Sequence, residues 1–145
     1  MTTSRSTVRD ALKTLFTTKL VGSGLPVKTV TDSNVKTLAG LTPLVAILSA
    51  GTHRDRVTFM GAIPKFYLEV QVWVLQSGTG WTNAQAEDAL DSIEALISEV
   101  YAESVGTANW SAIENDGRST VVEVTSDGRL YFMERIPTVV NTVKS

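Results

Sequence analysis

IPKFYLEVQVWVLQS, residues 63–77, is the stretch whose reading decides the fold. Phe66, Leu68, Val70, Val72 and Val74 stand at every second position. A strand turns successive side chains to opposite faces, so these five share one face. Lys65, Tyr67, Glu69, Gln71, Trp73 and Leu75 share the other, which is mixed in character. The pattern predicts a long antiparallel strand with one face in a core and the other solvated or docked on a partner. At about 3.3 Å per residue it would span roughly 50 Å, far beyond the usual strand of ~20 Å. Such a strand is expected to overhang its own domain.

Upstream, Leu44 to Ser49 follows Pro43 as a compact β-prone run and predicts a second strand. Between the two strands lies AGTHRDRVTFMGA, residues 50–62, where Gly51 and Gly61 bracket a charged tip, His53-Arg54-Asp55-Arg56. A return of that length exceeds the two to five residues usual for a hairpin. Long returns often carry function, which marks His53, Arg54, Asp55 and Arg56 as a partner-contact loop. Val27 to Thr31 reads as a short edge strand, with Lys28 discouraging stray pairing. Asp32-Ser33-Asn34 is a turn signal, and residues 34–42 read as loop. Residues 6–21 have helical spacing: Val8, Ala11, Leu12, Leu15 and Phe16 line one face, Ser6 is a plausible N-cap, and Gly22 and Gly24 supply a stop. Arg5, Arg9, Lys13 and Lys19 make the outward side basic, opposed by Asp10.

Downstream, Gly78 and Gly80 break the strand pattern. Thr82 and Gln85 have capping-box spacing and open a helix running to about Glu103. Ala86, Ala89, Leu90, Ile93, Leu96, Ile97, Val100 and Tyr101 form its apolar stripe. Its outward face holds Glu87, Asp88, Asp91, Glu94, Glu99 and Glu103, and no Lys or Arg. Residues 107–118 read as a connector anchored by Trp110 and Ile113. Ser119–Thr125 and Arg129–Pro137 predict a hairpin about Ser126-Asp127-Gly128, with Val122 and Val124 on one face of its first arm. Leu130, Phe132 and Ile136 share a face of the second arm, interrupted by Glu134. Pro137 is expected to limit further pairing, leaving residues 139–143 as an edge strand or a tail. The whole predicts one α+β domain over residues 1–145, with residues 1–5 and 141–145 as tails. Two amphipathic helices pack on a mostly antiparallel sheet of four to five strands, in two layers.

A chain of 145 residues can bury roughly two-thirds of its unfolded surface without a disulfide or metal. It has no cysteine, which removes thiolate chemistry and the common zinc sites. A net charge of −2 argues against wrapping nucleic acid by counterion release. The longest aliphatic run, Leu44 to Leu48, is too short to cross a bilayer, and the amino terminus lacks a signal peptide's apolar segment. His53 is the sole histidine; a general-base role would need an orienting group, and Asp55 stands two residues away. Gly22-Ser23-Gly24 and Gly78-Thr79-Gly80 match neither phosphate-loop pattern, and there is no G-x-S-x-G elbow. No catalytic residue, cofactor or metal site is expected.

The acidic helix face is either a solvated surface or the complement of the basic first helix in a neighbouring copy. In a ring, contacts run head-to-tail, so one patch meets a different patch. That reading makes Arg5, Arg9, Lys13, Glu87, Asp88, Asp91 and Glu94 subunit-interface candidates. Tyr67 and Trp73 join them if their sheet face is open to a neighbour. Otherwise helices cover both faces, or Trp110 packs there.

The order of parts resembles the tail terminator and tail-completion proteins of long-tailed bacteriophages. It is carried by VRDALKTLF, LTPLVAILSAGTHRDR, FYLEVQVWVLQ, AEDALDSIEALISEVYAE, the Trp110 connector and VVEVTSDGRLYFMERIP, from about Val8 to Val140. Head–tail joining proteins of similar size share this outline. The resemblance implies a small α+β subunit forming a ring, commonly a hexamer, on the end of the tail tube. There it stops tail growth and presents a surface to the head's connector protein. DNA passes through without sequence-specific binding, and no membrane is involved. The virion would be its location, and the host cytoplasm during assembly. The residue-level alternatives are another neck protein, a small ligand-binding or enzymatic α+β domain with a pocket between helices and sheet, and, least favoured, a nucleic-acid binder.

Overall fold

A computed structural model describes residues 4–34, 37–38, 40–58, 61–76, 82–107 and 109–142, and the side chains of these apart from 55–58 and 61–63. The expected glycine break at Gly78 and Gly80 lies outside the described residues. The elements run α1 (Arg5–Leu20), β1 (Thr29–Thr31), β2 (Leu44–Thr58), β3 (Gly61–Leu75), α2 (Asn83–Glu103), β4 (Ala112–Asn115), β5 (Thr120–Ser126) and β6 (Arg129–Asn141). The two helices lie against one curled, mostly antiparallel sheet, an α+β fold. The described sheet has six strands rather than four or five, because the connector contributes β4 and the chain's end extends β6.

β3 is the spine. Phe66, Leu68, Val70, Val72 and Val74 are all buried, and they meet Val8, Leu12, Phe16 and Leu20 of α1 and Ala86, Leu90, Ile93 and Ile97 of α2. Both helices therefore pack on the even-numbered face of β3. Trp110 and Ile113 join that same core, as the connector reading required. The strand order is β1-β2-β3-β6-β4, with β5 also on β6. β4 and β5 share the far side of β6 in series, β5 along Arg129–Arg135 and β4 along Thr138–Asn141. Pro137 sits at the changeover, where its carbonyl accepts from Asp116 N–H at 2.7 Å. A residue's N–H and C=O leave a strand on the same side, so the donor that proline lacks falls where β5 has stopped and β4 has not begun. Pro137 thus leaves the β3 ladder intact, and pairing continues past it to Asn141.

Helix ends follow local chemistry. α2 has the full capping box: Thr82 Oγ1 accepts from Gln85 N–H at 3.2 Å, and Gln85 Oε1 accepts from Thr82 N–H at 2.8 Å. α1 is capped by Ser4 rather than Ser6: Ser4 Oγ accepts from Thr7 N–H at 3.1 Å, so the helix begins at Arg5 and Ser6 lies within its first turn. The Asp127-Gly128 turn has φ of 51° and 74°, the paired positive angles a two-residue hairpin needs.

The largest difference from expectation lies at residues 50–62. The predicted loop is strand: β2 pairs with β3 through Arg54↔Pro64, Arg56↔Ala62 and Thr58↔Gly61. A bulge at Ala50, beside Gly51 with φ 144°, resets the register without ending the ladder. Among the described residues no third strand pairs β2 beyond Ala46 or β3 before Lys65, and polar residues stand at both odd and even positions from Thr52 to Thr58, so the sequence carries no alternation to be read.

Candidate functional site

Among the described residues no enclosed chemical site emerges; the candidates are surfaces. The first is the end of the β2–β3 hairpin. Among the described residues β6 pairs with β3 only from Lys65 onward, so there Gly61–Pro64 and Arg54–Thr58 pair with each other alone. This arm overhangs the sheet by five residues of β2, about 16 Å. His53 and Arg54 are exposed on it; Asp55 and Arg56 lie on its strand, and their side chains are outside the described set. The contact-loop reading is thus corrected from loop to strand, although the residues still project.

The second surface is the basic flank. Arg5, Arg9 and Lys13 stand four residues apart and form one stripe along α1. They are not free outward groups. Arg5 Nη1 donates to Thr52 Oγ1 at 3.1 Å, Arg9 Nη1 donates to Ser49 Oγ at 2.8 Å, and Lys13 Nζ lies 3.8 Å from Asp32 Oδ1. The stripe pins α1 to β2 and to the turn after β1, and so occupies the β1–β2 end of the sheet. The exposed Lys13–Asp32 pair contributes at most about 1 kcal/mol.

The third surface is the acidic flank. Glu87, Asp88 and Asp91 are exposed along α2, and Glu94 is half-buried, accepting from Ser98 Oγ at 3.4 Å. Beneath them sits Glu134, only 6 % exposed, on the helix-facing side of β6 opposite Val72. Ser119 Oγ donates to Glu134 Oε2 at 2.6 Å. Burial pushes the Glu134 carboxyl above its usual range; the Ser119 bond draws it back in part, and the charges of Glu94 and Asp91 push it up further. This flank faces the β5–β6 end of the sheet, so the two flanks stand at opposite ends. The chain carries the same polarity: residues 1–76 hold nine Lys and Arg against four Asp and Glu, and residues 77–145 hold four against eleven.

The fourth is the sheet face away from the helices. Tyr67 and Trp73 point there and are half-buried. Trp73 Nε1 donates to Gln71 Oε1 at 3.1 Å, and Gln71 Nε2 donates to Glu69 Oε2, a directed chain along every second residue. The register places Leu44, Trp73, Met133 and Val122 in one row across four strands. Leu44, Ala46, Tyr131, Met133 and Val139 are buried on this face. The sequence reading credited β6 with one apolar face and missed the second. The signal was present in Tyr131, Met133 and Val139, but it reads as continuous hydrophobicity rather than alternation.

Among the described residues no group of three metal-ligating side chains converges, and no helix is long and apolar enough to cross a membrane. The grooves are shallow. One, between α1 and the Trp110 connector, has no ionisable side chain in its lining. Another holds Asp10, Lys13, Asp32 and three threonines, whose hydroxyls donate to carbonyls of their own helix. No protein-family model matches the chain, and no curated protein matches it in sequence.

Proposed function

We propose that this chain is a structural subunit that forms a ring, a hexamer in the favoured form, on the end of a bacteriophage tail tube. It ends tube growth and offers the joining surface to the head's connector. The observation that carries the ring is electrostatic polarity: a basic flank at the β1–β2 end of one sheet and an acidic flank at the β5–β6 end. Opposite patches at opposite ends favour head-to-tail association of identical copies and disfavour face-to-face pairing of like patches. The phage setting rests on the order of parts in the sequence. The overhanging arm is the element placed to touch the tube or the connector.

Size-exclusion chromatography with light scattering, followed by negative-stain imaging alone and with tail tubes, tests this reading. Rings in solution or on tube ends are expected. Reversing Asp88, Asp91 and Glu94 to lysine should abolish them at low salt. A chain that stays monomeric at high concentration, and also in the presence of tubes, refutes the ring.

A further inference from the structure

The directions of backbone groups at the two ends of the sheet can be worked out from a few hydrogen bonds. Gln76 N–H donates to Leu130 O at 3.0 Å, and Thr142 Oγ1 donates to Pro64 O at 2.9 Å. Even-numbered residues of β3 therefore aim their backbone groups at β6. Their partners on β2 are Thr52, Arg54 and Arg56, opposite Phe66, Pro64 and Ala62. In an antiparallel ladder such pairs point away from each other, so these three residues turn N–H and C=O outward from the sheet. On that side β1 pairs β2 only as far as Ala46, and among the described residues no strand pairs it beyond.

The opposite end gives the matching result. Asp116 N–H reaches Pro137 O, and Ser111 N–H reaches Asn141 O at 2.8 Å, so odd-numbered residues of β6 aim away from β3. Thr120, Val122, Val124 and Ser126 of β5 pair with odd residues of β6 and turn inward. Val121, Glu123 and Thr125 turn outward, and among the described residues no strand meets them. Each end of the sheet thus presents three outward rungs at alternate positions.

We infer that copies of this chain join edge to edge, the β2 edge at Thr52, Arg54 and Arg56 pairing with the β5 edge at Val121, Glu123 and Thr125 of the next copy. This rests on the ring reading above and names its joint. Three further observations fit. Successive antiparallel pairings from β2 through β3 and β6 to β5 leave β2 and β5 running in opposite senses, so the two edges meet antiparallel; the β2 rungs stand level with Ala62–Phe66 and the β5 rungs level with Val72–Gln76, about 33 Å away along the strands, so the joint requires strands steeply inclined to the ring axis. Thr52 lies opposite Phe66, and Val121 lies opposite Glu134, both on the helix side, so the joined sheet keeps its helices in one layer. The edges also carry opposite charges in sequence, Arg54 and Arg56 on β2 and Glu123 on β5, whose Oε1 accepts from Gln76 Nε2 at 3.1 Å within its own chain.

The chain has no cysteine, so introduced thiols report the joint directly. Double variants combining Glu123→Cys with Thr52→Cys, Arg54→Cys or Arg56→Cys are oxidised under assembly conditions and run without reductant. At least one should give a ladder of covalent oligomers up to the ring size, whereas each single variant should not. Arg54→Pro and Glu123→Pro delete an outward N–H that no intrachain ladder uses; both should shift ring to monomer while circular dichroism stays unchanged. Arg54→Ala should keep the ring. Rings that form normally in both proline variants, with no ladder from any cysteine pair, overturn the joint and leave the ring reading standing. Dimers from a single Arg54→Cys variant overturn it in favour of arm-to-arm pairing. A wild-type chain that never oligomerises, alone or on tubes, overturns both.

Discussion

Trp110→Phe isolates one hydrogen bond in the core. Trp110 is 2 % exposed, and its Nε1 donates to Ser104 O at 2.7 Å, on the residue that caps the C-terminus of α2. Ser104 is itself buried. Phenylalanine keeps an aromatic ring in the core but leaves that carbonyl without its donor, which costs about 1–3 kcal/mol. The smaller ring adds on the order of 1 kcal/mol for lost contacts and cavity. The expected loss is roughly 2–4 kcal/mol, or a fall in Tm of about 5–15 °C for a domain of this size. Trp110→Ala sets the scale, at ~3–5 kcal/mol or more. Urea titration under conditions that keep the protein monomeric measures both, with the slope m expected to stay constant so that the midpoint alone reports stability. A Trp110→Phe protein within about 0.5 kcal/mol of wild type would show that the Ser104 carbonyl does not need this donor.

Tyr101→Phe should cost about 0.5–1.5 kcal/mol, because Thr138 Oγ1 loses the phenol at 2.8 Å but keeps the Ile136 carbonyl at 3.2 Å; the same urea titration reads it. Glu134 makes stability depend on pH with a definite sign. Its native carboxyl binds a proton more tightly than the unfolded chain does, so stability should fall as pH rises from the ordinary carboxylate range through the raised native value. Glu134→Gln should be more stable than wild type above that window and should flatten the pH profile across it, as thermal melts in matched buffers would show. Gly128→Ala places a side chain at φ 74° and should cost about 1 kcal/mol, read by melts against a Thr125→Ala control on the same hairpin.

Legibility followed burial. β3, α1 and α2 were readable because each shows one face to a shared core, and Val70 or Ile93 can occupy only that face. The Asp127-Gly128 turn was readable because its backbone angles admit few residues. The arm was not, because pairing there is between backbone groups, and a backbone leaves no mark in the order of His53, Arg54, Asp55 and Arg56. β4 was hidden for a related reason: four residues with one buried side chain, Ile113, carry too little pattern to separate strand from connector. The interface candidates were legible as charges but not as contacts. Nothing in the spacing of Arg5 and Arg9 announces that Ser49 and Thr52 already hold them, and nothing in Glu134 announces the acids above it.

Those contacts alter how the polarity works. Arg5 and Arg9 are spent on fixing α1 to β2, so in the proposed ring the basic flank would act at longer range, steering a neighbour rather than gripping it. In that proposal gripping falls to the arm. Ordering a strand residue costs about 1–2 kcal/mol of backbone entropy, and a two-stranded ribbon alone in water is marginal. Among the described residues no third strand pairs Gly61–Pro64 or Arg54–Thr58 to offset that cost, although at the base of the arm Thr142 Oγ1 donates to the carbonyl of the buried Pro64. A ribbon of this kind persists where a further strand completes its ladder. Across the same sheet, β5 forms an outer edge with three outward rungs and an acidic residue, Glu123. On the proposed joint the steering flanks and the open edges would form one surface pair at two ranges, the charges selecting the approach and the backbone closing it.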